Sequence, residues 1–117
     1  MKSQHRPTIE YTTRSRYIPE TDTIQIDVSL GAPPYYIAEA HELGHRDCIL
    51  SGEIPATLVT HADQIRDEIC AWKRAAEYLR EKGLWDEYAK SWARKSLTSH
   101  GIYWNNYKKL EEVIESL

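Results

Sequence analysis

The chain has 117 residues, a formal net charge of −3 and no apolar run approaching the roughly 20 residues of a membrane span. That length suits a single domain, 1–117, with a modest core, and the charge is too mild to argue for a nucleic-acid partner. The first residues lack the apolar stretch of a signal peptide, so the expectation is a cytoplasmic protein with no membrane partner.

In chain order, the first expected elements are strands. Thr8 to Thr13 is rich in β-branched residues, and Ile24, Ile26 and Val28 alternate with polar residues, the period of a half-buried strand. Pro19-Glu20-Thr21-Asp22 supplies turn chemistry ahead of the second run. A small N-terminal sheet is therefore expected, with one strand running from Thr23 to Leu30.

A helix is expected from Tyr35 to Leu50. Pro33 and Pro34 precede it, where a missing N–H costs nothing, and Gly52 follows as a stop. Ile37, Ala38, His41, His45, Cys48 and Ile49 fall on one stripe of that helix. The stripe contains the run His41-Glu42-Leu43-Gly44-His45, an H-E-x-x-H pattern. Two histidines four residues apart lie about 40° apart on one helix face, so both can ligate one Zn²⁺. Glu42 sits on the flank, where it can take a proton from a water held by the metal. Two histidines satisfied within a core would account for the stripe, but the metal reading also explains the Glu between them.

A zinc centre needs a third protein ligand. The next helix is expected from about Ala62 to Lys82, stopping at Gly83, with a stripe of Ile65, Ile69, Trp72, Ala76 and Leu79. Glu68 borders that stripe and Asp67 projects away from it, toward solvent. A carboxylate at the margin of an apolar face calls for a buried partner, and Zn²⁺ would serve. His61 is the rival third ligand if the helix starts early; pairing with an Arg or Lys is the bland alternative for Glu68.

Glu39-Ala40-His41-Glu42-Leu43-Gly44-His45, followed by Asp67-Glu68-Ile69-Cys70-Ala71-Trp72, resembles a gluzincin metallopeptidase. The likeness is closest to the minigluzincins, minimal soluble relatives of membrane metallopeptidase catalytic domains. It covers roughly residues 15–80, including Arg16 to Ile26, which is similar to the strand–turn–strand those domains place before the active-site helix. It implies an α+β zincin-like minimal domain, in which a small sheet is followed by an active-site helix, a glutamate helix and C-terminal helices. It further implies Zn²⁺ held by His41, His45 and Glu68, Glu42 as general base, and hydrolysis of a peptide or protein substrate. The Thr23 to Leu30 strand becomes a candidate for binding extended peptide by added-strand pairing. Many gluzincins carry an Asp four residues after the ligand Glu; here that position is Trp72, so a supporting carboxylate must come from elsewhere. A weaker resemblance is to phage and bacterial repressor-cleaving peptidases.

Cys48 and Cys70 fall on the two site helices and are expected as free thiols in a reducing compartment, with Cys48 a small core residue rather than a ligand. Beyond Gly83, Trp85, Tyr88 and Trp92 recur at helical spacing, and a loop is expected near Ser96–Gly101. Tyr103, Tyr107, Leu110, Ile114 and Leu117 make a last amphipathic stripe, most simply part of the core. Minigluzincins are described as latent through their C-terminal segments. The resemblance thus divides the chain into a scaffold, 1–95, and a segment, 96–117, that covers the site within one chain or through a homodimer exchanging the last helix. Candidates for stabilising the oxyanion are Tyr78, Arg94, His100 and Tyr103. A reading of another class is a zinc-stabilised regulatory or interaction module without turnover.

Overall fold

The computed structural model describes residues 6–27, 29, 34–57, 60–101 and 107–117. The elements are β1 (Thr8–Thr12), β2 (Arg16–Ile18), β3 (Thr23–Asp27), α1 (Pro34–Leu50), α2 (His61–Glu81), α3 (Glu87–Ser99) and α4 (Tyr107–Ser116). This is the α+β order expected, a three-stranded sheet followed by four helices. Val28, Leu30, Tyr103 and the side chain of Tyr107 lie outside the described residues.

The sheet order is β1-β3-β2, with β1 parallel and β2 antiparallel to β3. The Pro19–Asp22 turn closes the β2–β3 hairpin; Asp22 takes φ 49°, a left-handed conformation that Asp tolerates better than most residues. The alternation in β3 puts Ile24 and Ile26, both fully buried, on the face that α1 covers. Gln25 points the other way, receiving Arg16 Nε at 2.6 Å and donating to Glu10 Oε1 at 3.0 Å. Because β3 is paired on both sides, it cannot accept a further strand. The expectation that Thr23 to Leu30 binds peptide by added-strand pairing therefore fails over Thr23, Ile24 and Gln25, where both edges are taken; β2 is the open edge on the α1 side.

The helices begin and end for local reasons. Thr60 and Asp63 form a reciprocal capping box at the start of α2, and Gly83, at φ 70°, ends it. Asp86 caps α3 through Ala89 N at 2.9 Å. α3 runs to Ser99 rather than yielding to a loop at Ser96, because Leu97 is fully buried and holds the last turn down. The buried stripe of α3 is Ala89, Ala93 and Leu97, not the aromatic series; Tyr88 is exposed, and Trp85 and Trp92 sit at the margin.

One apolar core joins Trp72, Ala75, Ala76 and Leu79 of α2 to the α3 stripe and to Leu110, Ile114 and Leu117. The described part of the last stripe, Leu110, Ile114 and Leu117, is thus buried within its own chain. Among the described residues, no helix is long and apolar enough to cross a membrane.

Candidate metal centre

The site forms where α1 crosses α2, and a glycine sets the approach. A Cβ on Gly44 would lie 2.2 Å from the backbone oxygen of Ala71, so the fourth residue of the H-E-x-x-H run must lack a side chain here. Three residues before that contact on α2 is Glu68, and four before is Asp67. One turn after Gly44 on α1 is Cys48, which forms a disulfide with Cys70, their Cα atoms 6.2 Å apart. The expectation of free thiols is overturned: helix proximity at Gly44 brings the two sulfurs together.

Glu68 faces both histidines. His41 Nε2 is 3.0 Å from Glu68 Oε2, and His45 Nε2 is 3.3 Å from Glu68 Oε1. His45 Nδ1 is 2.9 Å from Asp67 Oδ1. Asp67 is only 7% exposed, so the expectation that it projects to solvent is wrong. The reason is that α2 is covered on more than one side, by α1 as well as by the C-terminal core. Asp67, Ala71 and Ala75 repeat at four-residue intervals and are all buried; this small-residue series was the available signal for a second contact face. Asp67 is thus a second carboxylate on a histidine of the motif, at a position other than Trp72. Trp72 instead stacks on His41, with ring centroids 4.3 Å apart and planes at 16°.

Glu42 is buried, its Oε2 3.7 Å from His41 Nδ1. Burial raises its pKa above the ordinary carboxylate value, and the nearby imidazoles pull the other way. Burial alone would lower His45, but its hydrogen bonds with Asp67 and Glu68 and their charges outweigh it and push the imidazole up to about 10. Glu68 moves oppositely: burial would raise it, yet His41 and His45 hold it far below the usual range. Among themselves these side chains form a dense ion-pair network.

The donor chemistry suits a cation. A carboxylate only accepts hydrogen bonds, so Asp67 fixes the proton of a neutral His45 on Nδ1. Nε2 then faces a Glu68 oxygen, where a proton makes the ion pair and a divalent cation can take the proton's place. Carboxylate–histidine–metal chains of this kind are the usual way to orient a ligand. His41, Glu42 and His45 each place a ligand-capable atom within 4.8 Å of the others, a buried group that can hold a metal ion.

These residues open onto a cleft of about 910 Å³ whose walls come from β2, α1, α2 and α3. Arg16 and Tyr17 of the β2 edge line one side and Trp92 and Ser96 of α3 another; among the described residues, α4 contributes none. His61 is exposed at the start of α2 and away from the cleft. Of the four oxyanion candidates, Tyr78 donates to Asp47 and Arg94 pairs with Glu111, both outside the cleft wall. Tyr103 lies outside the described residues. His100 reaches the centre, its Nε2 3.3 Å from Glu68 Oε1.

Sequence reasoning also missed Arg46. It is buried beside the motif and grips Asp22 of the hairpin turn through Nε at 2.6 Å and a second nitrogen at 3.0 Å. Tyr17 Oη donates to the same Asp22 at 2.8 Å. This bidentate pair ties the sheet to α1 one residue past His45. Comparison with protein-family models, with curated proteins and with solved structures gives no match to this chain.

Proposed function

We propose that this protein is a zinc-dependent peptidase of the gluzincin kind, acting on a peptide or protein in extended form. The observation that carries the reading is the convergence of His41 Nε2 and His45 Nε2 on Glu68, with Glu42 buried beside them at the floor of a cleft. His41, His45 and Glu68 would hold the ion, and Asp67 would orient His45. Bound there, Zn²⁺ would supply Lewis acidity for a peptide carbonyl and lower the pKa of water. Glu42 does not meet either Nε2 as Glu68 does, which leaves it free as general base. It accepts the proton of the attacking water and returns it to the leaving amine. The open edge of β2, along the cleft, offers backbone groups to an extended peptide. Exchange of α4 between two chains would preserve the contacts of Leu110, Ile114 and Leu117, so a homodimer meets the same burial in another way.

The second reading, a zinc-stabilised module without turnover, draws on the approach of His100 to Glu68, since a turnover site keeps one coordination position for water. Glu42→Gln separates the two. It keeps the shape but cannot take a proton, so zinc content should be unchanged and any cleavage of a peptide library should fall by several orders of magnitude. Equal cleavage by the wild type and Glu42→Gln, at equal zinc content, would rule out this mechanism.

A further inference from the structure

Glu68 is met by a third imidazole that a three-ligand centre does not use. His100 Nε2 lies 3.3 Å from Glu68 Oε1, and His100 Nδ1 lies 2.8 Å from the backbone oxygen of Ser96. A carbonyl only accepts, so Nδ1 is the protonated nitrogen of a neutral His100 and the lone pair is on Nε2. This repeats the arrangement of His45, whose Nδ1 is committed to Asp67 and whose Nε2 also faces Glu68 Oε1 at 3.3 Å. With His41 Nε2 at 3.0 Å from the other oxygen, three ring nitrogens converge on one carboxylate.

The end of α3 is shaped to keep His100 there. Its backbone N–H donates to Ser96 O at 3.2 Å, and Gly101 follows at φ 76°, a left-handed turn that favours glycine. Leu97, three residues earlier, is fully buried and anchors the turn. Trp92 and Ser96, two turns and one turn back on the same face, line the same cleft.

We propose that His100 is a further metal donor, joining His41, His45 and Glu68 to close the centre with a fourth protein ligand. The inference rests on the metal reading above and adds a regulator to it. Four protein donors fill a tetrahedral site and leave no place for water. His100 is the one donor able to leave: its side chain is 44% exposed, against 15% for His41 and 12% for His45. Movement of the last turn of α3 opens the coordination position that hydrolysis needs.

The test uses the full chain titrated with Co²⁺, read by visible absorption, with azide as a small added ligand. Wild type should take one ion per chain and resist azide. His100→Ala should bind Co²⁺ at least about tenfold more weakly, since even a residue that only supports a ligand costs that much. It should also change the d–d spectrum and take up azide at lower concentration. His100→Cys keeps a donor in place and should add a thiolate-to-cobalt charge-transfer band, a signature that decides the matter even if His100→Ala folds poorly. Equal affinities, spectra and azide responses in wild type and His100→Ala, with no new band in His100→Cys, would overturn the role of His100 and leave the centre intact. A wild-type chain that takes up no cobalt would overturn the metal centre itself, and this inference with it.

Discussion

The two sides of α2 are built on different principles. Toward α3 and α4 it presents Trp72, Ala76 and Leu79 to an apolar core with Ala89, Ala93, Leu97, Leu110 and Ile114. That interface is held by area, and area tolerates small repacking. Toward α1 it presents Asp67, Glu68, Cys70 and Ala71, and each meets one particular partner: His45, both histidines, Cys48 and the bare backbone at Gly44. That interface is held by position. A metal centre needs ligand atoms fixed to within a fraction of an ångström, and a polar, closely spaced contact supplies this where an oily one does not. Substitutions on the two sides should therefore fail differently, by loss of packed apolar area on one and by loss of position on the other.

The largest effect is expected at Gly44. Its would-be Cβ meets backbone, not a flexible side chain, so the helices must separate. Overpacking of this kind costs about 3 kcal/mol or more in Gly44→Ala, the upper end of the usual range. The separation also pulls Glu68 from the histidines, so zinc affinity should fall together with the denaturant midpoint. A Gly44→Ala protein with wild-type stability and zinc affinity would show that the close approach is not required.

Next is the Cys48–Cys70 disulfide, which links α1 to α2 beside the histidines. Replacing both cysteines by Ala should lower stability by about 2–4 kcal/mol, the usual worth of such a link. Thermal unfolding in the absence of reductant measures it. The informative second readout is zinc dissociation to a chelator, which should quicken if the link holds the ligands in register. Loss of stability with an unchanged dissociation rate would place the disulfide on the side of bulk stability instead.

Asp67→Ala comes third. Without its carboxylate, Nδ1 of His45 loses the partner that keeps Nε2 toward Glu68. Zinc affinity should drop by about 10- to 100-fold, with Asp67→Asn, which still accepts a hydrogen bond, falling between. Competition with a chromophoric chelator resolves changes of that size. Unaltered affinity in Asp67→Ala would confine Asp67 to packing.

How far the sequence foretold this site follows from the same contrast. His41, Glu42 and His45 were legible because an i, i+4 spacing fixes a shared helix face whatever the helix packs against. The small sheet and the four helices were legible from period and punctuation. Asp67 was misplaced because a single apolar stripe implies one buried face, and α2 has two. The disulfide was missed because redox compartment was weighed and helix separation was not; that separation depends on Gly44, whose meaning appears only when Ala71 is opposite. Added-strand pairing was expected of β3 because alternation identifies a strand but not its neighbours, and β3 turns out to be the middle strand.

The smallest effect is expected on the apolar side, where Ile114→Val tests the contrast from the other direction. Ile114 is almost wholly buried in the core with the α3 stripe and does not itself line the cleft. Removing one methyl group should cost about 0.5–1.5 kcal/mol, seen as a lower denaturant midpoint with an unchanged slope. Zinc affinity, measured where both proteins are fully folded, should equal that of the wild type, because among the described residues α4 lines no part of the cleft. If instead Ile114→Val weakened zinc binding as much as Asp67→Ala does, packing strain would be passing across α2 from one face to the other. The division between a side held by area and a side held by position would then have to be given up.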